Sequence, residues 1–215
     1  MPRHGFLTRM LLLAGIAGFA AGCSSSPTAR FYTLNALGHQ EASQPAPLGA
    51  HPVSVSIAPV EIPDYLDRNQ IVTRDGSNAL KIAEFDRWGG SLGENFTSVL
   101  VENLSGLLAS DRVAAYPRLR PEKPDYWVGV RVLRLDCMPG DRVELKAQWL
   151  VMAEQDKQVV TNKILTFTER LNDSRYDTLA AGVSSTIGQL SREIAREIEA
   201  RSKGTAGSTT AQANP

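Results

Sequence analysis

Val143-Glu-Leu-Lys-Ala-Gln-Trp-Leu-Val151 is the stretch from which the fold of this chain can be worked out. Apolar and polar side chains alternate through most of it, and this period of two is typical of a strand with one face in a core. The same alternation predicts a long strand that begins at Tyr126 and ends near Pro139-Gly140, and another at 159–169. Because three long strands follow one another through short turns, we predict an antiparallel meander. Its inward side chains in the middle strand are Val143, Leu145, Ala147, Trp149 and Val151.

Two amphipathic helices accompany these strands. Ser91 and Glu94 form a capping-box pattern at the start of the first, and the second covers 176–202. Shorter strands are predicted near 53–57, 70–74, 79–85 and 112–116. Each apolar helix stripe needs a partner, which one face of a sheet provides. We therefore predict an α/β (α+β) fold: a mixed, largely antiparallel sheet with two main helices packed on one face. The second stripe consists of Leu179, Val183, Ile187, Leu190, Ile194 and Ile198.

The N-terminal segment 1–22 has the layout of a secretory signal peptide. Arg3 and Arg9 give it a positive start, an uncharged apolar stretch follows, and Ala20-Ala-Gly22 supplies small residues before Cys23. The apolar stretch is shorter than the roughly 20 residues that a membrane-spanning helix needs. We predict cleavage between Gly22 and Cys23.

Cys23 and its neighbours resemble the lipobox of bacterial lipoproteins, although Ala20 stands where most of these have leucine. The resemblance implies a diacylglyceryl group on the thiol and an N-acyl chain, such as palmitate, on the new amine. Multiple acyl chains anchor a protein stably to a membrane. Ser24 follows the cysteine where many inner-membrane lipoproteins have aspartate, which implies the periplasmic face of the outer membrane.

Four regions follow from composition. The segment 1–22 is the signal peptide, and 23–51 is a lipidated N-terminus and linker containing a short edge strand at 31–34. A folded domain covers 52–202, and 203–215 is predicted to be disordered because it lacks large apolar residues. If residues 35–51 are unstructured, they give the domain a reach of about 20–25 Å.

Composition argues for a binding protein and against an enzyme. The 23 basic and 23 acidic residues balance, so nothing favours nucleic acid as a partner. All three histidines precede the domain (His4, His39 and His51), which excludes histidine-based triads and zinc sites from it. We predict no catalytic residue, no metal, no cofactor other than the lipid at Cys23, and no disulfide at Cys137.

Two short segments are candidates for contact with a partner. In the turn that begins at Pro63, Tyr65, Leu66, Asp67 and Arg68 combine apolar and charged side chains, as exposed protein contacts do. The alternative is that Tyr65 and Leu66 fold over the sheet edge.

Arg87 and Trp88 form the second candidate segment, and they present the same choice. Trp88 is either an aromatic anchor or a cover for the first helix. The glycines that follow it are interpreted as a tight loop and helix cap, because no phosphate-binding Lys-Ser/Thr pair comes after them.

An ordered set of short motifs resembles the ABC-type transport auxiliary lipoprotein family. The motifs are Cys23 with Arg30-Phe-Tyr-Thr-Leu34, Pro63-Asp-Tyr-Leu-Asp-Arg68, Gln70-Ile-Val-Thr-Arg74, Ala83-Glu-Phe-Asp-Arg-Trp88 and Val113-Ala-Ala-Tyr-Pro117. The family implies a sandwich like the N-terminal domain of TolB, and no catalytic residues. It also implies an MCE-domain periplasmic protein and an inner-membrane transport component as partners, in intermembrane transport of lipids or other hydrophobic molecules. A homo-oligomer is compatible with it. The alternatives are a periplasmic lipid-binding shuttle and an outer-membrane assembly scaffold.

Overall fold

The computed structural model describes residues 28–38, 52–117 and 123–211, with side chains as far as Ser202. The predicted signal peptide, Cys23 and most of the predicted linker lie outside these ranges. Within them the chain forms two helices and eight strands. The helices are α1 (Leu92–Leu107) and α2 (Tyr176–Ala211). The strands are β1 (Arg30–Tyr32), β2 (Val55–Ile57), β3 (Gln70–Asp75), β4 (Ala79–Trp88), β5 (Val113–Ala115), β6 (Tyr126–Met138), β7 (Arg142–Ala153) and β8 (Val159–Arg170).

The larger sheet has five strands in the order β5-β2-β6-β7-β8. Strands β6, β7 and β8 form the predicted antiparallel meander, in which Val130 pairs with Trp149 and Leu145 with Phe167. Strand β2 runs parallel to both β5 and β6, which makes the sheet mixed. The five inward side chains predicted for β7 are all 1% exposed or less. The predicted fold class is confirmed.

The shorter strands form a separate sheet, in the order β1-β4-β3, instead of extending the first one. Strands β3 and β4 are an antiparallel hairpin that turns at Gly76, whose φ of +70° favours glycine. Strand β1 lies parallel to β4. The two sheets are joined where Arg74 Nη2 donates to Asp136 Oδ1 (2.5 Å) and Leu135 N donates to Tyr65 Oη (3.3 Å). Alternation in the sequence predicts strands but not which strands pair, so the division was not predicted.

Helix α2 covers β7 and β8, and α1 packs against α2 and β5. Ser91 caps α1 as predicted, because its Oγ accepts from Glu94 N (3.4 Å). All six residues of the predicted α2 stripe are fully buried. Gly182 lets α2 approach the sheet, since a Cβ there would lie 2.6 Å from Leu171 Cδ2 and 3.1 Å from Val143 Cγ2. The helix continues to Ala211, beyond the predicted end at Ser202 and into the segment expected to be disordered. No helix among the described residues is long and apolar enough to span a membrane.

The chain after β1 runs across both helices. Leu34 is buried, Asn35 N donates to Ser184 Oγ (3.1 Å), and Leu37 N donates to Asn103 Oδ1 (2.7 Å). Residues 35–38 are therefore packed on the domain, although they belong to the predicted linker. Because β1 precedes this segment and lies in a sheet, residues 35–51 connect two parts of the folded domain. They cannot add to the reach of an anchor at Cys23, and the expected reach of 20–25 Å through them is wrong.

Candidate functional site

The predicted contact turn is partly built into the core. Leu66 is 3% exposed, and its N donates to Pro63 O (2.9 Å) to close the turn. Tyr65 is half-buried at the junction of the two sheets, and burial raises the pKa of its hydroxyl. Tyr65 and Leu66 therefore fold over the sheet edge, which is the alternative to an exposed contact that the sequence left open. Asp67 and Arg68 are exposed and remain available to a partner.

Trp88 also belongs to the core. It is 3% exposed, and its backbone N–H donates to Asn69 O (2.6 Å), which ties the end of β4 to the start of β3. Arg87 is half-buried and pairs in register with Phe31 of β1. Trp88 thus covers the core and is no exposed anchor. Of the six candidate contact residues, the structure leaves Asp67 and Arg68 on an exposed surface, gives Tyr65 and Arg87 intermediate positions, and buries Leu66 and Trp88.

Asp67 lies on the rim of a groove of about 540 Å³ that sequence reasoning did not find. Three segments that are distant in sequence meet there: the connection between β2 and β3, the start of α1 and the end of β5. Because no local pattern brings these segments together, the sequence contained only separate signals: Asp67 in the predicted contact turn, and the glycines before α1, which we interpreted as a cap. The lining residues are Pro59, Val60, Ile62, Asp67, Ser91, Gly93, Glu94, Thr97, Ser98, Ala115, Tyr116 and Pro117.

Buried hydrogen bonds hold the floor of this groove. Val60 N donates to Thr97 Oγ1 (3.0 Å), and Thr97 Oγ1 donates to Gly93 O (2.8 Å). A Cβ at Gly93 would lie 3.4 Å from Val60 O, so α1 and the β2–β3 connection are in close contact. A groove fixed in this way does not need to be ordered by a ligand, which lowers the entropic cost of binding.

The walls of the groove combine apolar and acidic groups. Val60 and Ile62 are apolar, and Asp67 and Glu94 are exposed carboxylates. Tyr116 is 40% exposed, and its ring meets the Trp127 ring edge-on at 5.6 Å between centroids. This chemistry suits a protein segment that carries an apolar side chain beside a lysine or arginine.

Two features of the described residues bear on metal and nucleophile chemistry. They contain no group of three histidine, cysteine, aspartate or glutamate side chains placed to hold a metal. Cys137 is fully buried, and burial raises the pKa of its thiol to about 12. The thiol is therefore protonated at neutral pH and unsuited to act as a nucleophile.

The fold and the site together are an α+β domain with a preformed groove of mixed polarity. Residues 32–195 match the sequence model of the ABC-type transport auxiliary lipoprotein component, so the chain belongs to this family, as the motifs indicated. No curated protein sequence matches it.

Solved structures that share the fold include two that align over most of this chain. One is an uncharacterized protein with 20% identity and a TM-score of 0.65, aligned over 80% of this chain and 99% of its own. The other is protein XCC0632 from Xanthomonas campestris, with 14% identity and a TM-score of 0.64, aligned over 82% and 99%. At these identities the likeness establishes the fold alone.

Proposed function

We propose that this lipoprotein is a non-enzymatic accessory of an MCE-type transport system and docks the periplasmic component of that system to the outer membrane. The family match over residues 32–195 is the observation that carries the proposal, since the family serves transport as an auxiliary component. The lipobox-like residues before Cys23 supply the anchor, with acyl chains as the only non-protein groups. An inner-membrane transport component completes the system. Acyl chains keep the protein on the periplasmic face of the membrane without a spanning helix.

The groove around Asp67 and Glu94 is the proposed contact surface for the periplasmic partner. Its two carboxylates would attract a basic segment, and its apolar walls would take a neighbouring aliphatic side chain. Tyr116 adds an exposed aromatic ring at the rim, of the type enriched at interface centres. Because the hydrogen-bonded floor is already rigid, binding requires ordering of the partner only.

The anchor and the partner are tested separately. Metabolic labelling with a fatty-acid probe should mark the wild-type chain and leave a Cys23→Ala chain unmarked. Retrieval of the tagged protein from envelope membranes should bring down an MCE-domain protein and an inner-membrane component. If the wild type retrieves neither, the proposed function is wrong.

Charge reversal then tests the groove. A chain with both Asp67→Lys and Glu94→Lys should retrieve at least tenfold less of the partner, because two attractive charges become repulsive. Glu102→Lys is the matched control, since Glu102 is an exposed glutamate of the same helix outside the groove. Equal retrieval by the double variant and the control would remove the groove from the interface while leaving the transport role intact.

The lipid-binding shuttle is less favoured by the packing. A lipid chain would need space between α2 and the large sheet, where Gly182 already approaches Val143 closely. The six stripe residues of α2 are fully buried at that junction. Opening it would expose a large part of the core.

A further inference from the structure

The first strand sets how far the folded domain can stand from the lipid anchor. Only seven residue steps separate Cys23 from Arg30, the first residue of β1. At 3.3–3.6 Å per residue, a fully extended chain spans at most about 25 Å. Strand β1 therefore remains close to the membrane that holds the acyl chains, and this step rests on the lipidation in the proposed function.

Several contacts make β1 a rigid part of the domain. Arg30 Nε and Nη2 donate to the two carboxylate oxygens of Asp86 at 2.8 and 3.0 Å. The Tyr32 hydroxyl donates to Asp86 Oδ1 (2.8 Å), and its ring lies 6.2 Å from that of Tyr176. A short tether that ends on such a fixed strand restrains the orientation of the whole domain as well as its distance from the membrane.

The surface next to the tether has the composition of a lipid-contacting surface. Phe31 is 65% exposed, more than any other large apolar side chain among the described residues. Arg30 and Arg175 flank it around a concavity of about 580 Å³ that also includes Tyr176 and the exposed carboxylate of Asp177, which pairs with Arg175. The Arg30 and Arg175 side chains are 65% and 70% exposed. Each guanidinium donates two hydrogen bonds to an aspartate and has further N–H groups that can donate to a phosphate. Exposed aromatic rings beside arginines favour the headgroup layer, where the ring contacts acyl chains and the cations meet phosphates.

We propose that the surface formed by Arg30, Phe31, Arg175 and Tyr176 rests on the lipid headgroups of the membrane that holds Cys23. The N-terminal end of α2 then faces the membrane. The opposite end of α2 points away from it, together with the β7–β8 turn, since Arg201 Nη2 donates to Asp156 Oδ2 (3.0 Å) in that turn. At 1.5 Å per residue, Tyr176 and Arg201 lie about 38 Å apart along the helix axis. That separation exceeds the reach of the tether.

Photo-crosslinking to lipid tests this orientation. The chain 23–215 is coupled through the Cys23 thiol to a maleimide phospholipid in vesicles of phosphatidylethanolamine and phosphatidylglycerol. Cys137 does not compete for the maleimide, because its thiol is buried. The photoreactive residue p-benzoylphenylalanine replaces Phe31 or, as the control, Val159. Val159 is 60% exposed at the start of β8, next to the turn that contains Asp156. Both positions are exposed, so neither replacement disturbs the core.

Irradiation should give at least fivefold more lipid adduct at position 31 than at position 159. Equal yields at the two positions, or no lipid adduct at 31, would overturn the proposal. The same two replacements are then made in the full-length chain and irradiated in native envelopes, where a protein adduct instead of a lipid adduct at position 31 would also overturn the proposal. Because the vesicle tether is chemical, a negative result there contradicts the orientation alone. Loss of fatty-acid labelling in cells would contradict the proposed anchoring.

Discussion

Replacement of Asp86 by alanine tests whether one buried carboxylate holds the N-terminal strand on the domain. Asp86 is 5% exposed and accepts from both Arg30 and Tyr32. Burial and the bond to Asp86 raise the pKa of the Tyr32 hydroxyl, which therefore stays a donor at neutral pH. Strand β1 has three residues and lies at the edge of its sheet, so its backbone pairing alone is weak.

The expected loss of free energy that holds β1 on the domain comes mainly from the hydrogen bond of Tyr32. A hydrogen bond to a charged group contributes about 1.5–3 kcal/mol. The Arg30 guanidinium is well exposed and bonds to water once Asp86 is gone, so loss of this ion pair adds little. A loss of about 2 kcal/mol for opening of β1 corresponds to a roughly 30-fold larger open fraction, at 1.36 kcal/mol per factor of ten.

Native-state hydrogen exchange measures this opening. The Gly89 amide is the reporter, because it donates to Tyr32 O (2.7 Å). In Asp86→Ala it should exchange roughly 30-fold faster, while amides in the middle of β7 keep the wild-type rate. Asp177→Ala is the control: Asp177 also pairs with an arginine near β1, but its side chain is 52% exposed. Unchanged Gly89 exchange in Asp86→Ala, or equal acceleration in the control, would refute the reasoning.

Three further predictions concern the core. Trp88→Ala should lower the free energy of unfolding in urea by about 3–5 kcal/mol, because Trp88 is 3% exposed. Arg68→Ala should stay within about 0.5 kcal/mol of wild type, and equal melts for the two would contradict this assignment. In a Cys23→Ala chain, Cys137 should react with a thiol reagent at pH 8 only after unfolding. Reaction of Cys137 in the folded state would contradict its burial. Since the pKa of the thiol rises on folding from 9.0 to about 12, the free energy of unfolding measured in urea should also fall as pH increases above 9. Gly182→Val should cost about 1–3 kcal/mol by overpacking against Leu171 and Val143, whereas Ala181→Val on the exposed face should cost less than 1 kcal/mol in the same melts.

The candidate contact residues show what the sequence could not predict about exposure. Tyr65, Leu66 and Trp88 lie among charged neighbours, and the sequence left open whether they are exposed anchors or cover the core. In the structure, Leu66 and Trp88 are buried and Tyr65 closes the junction of the sheets. Whether an aromatic side chain next to a turn faces solvent depends on what the rest of the chain places over it. The groove escaped prediction for the same reason.

The sequence by itself determined the meander, both helices, the cap at Ser91 and the membership of the family, because each depends on local periodicity or on motifs in order. Tertiary structure alone decided that the strands divide between two sheets and that residues 35–38 pack on the helices. It also decided that β1 is fixed beside Asp86. The physical reason is that strand pairing and burial are set by contacts between residues far apart in the chain, for which periodicity carries no information.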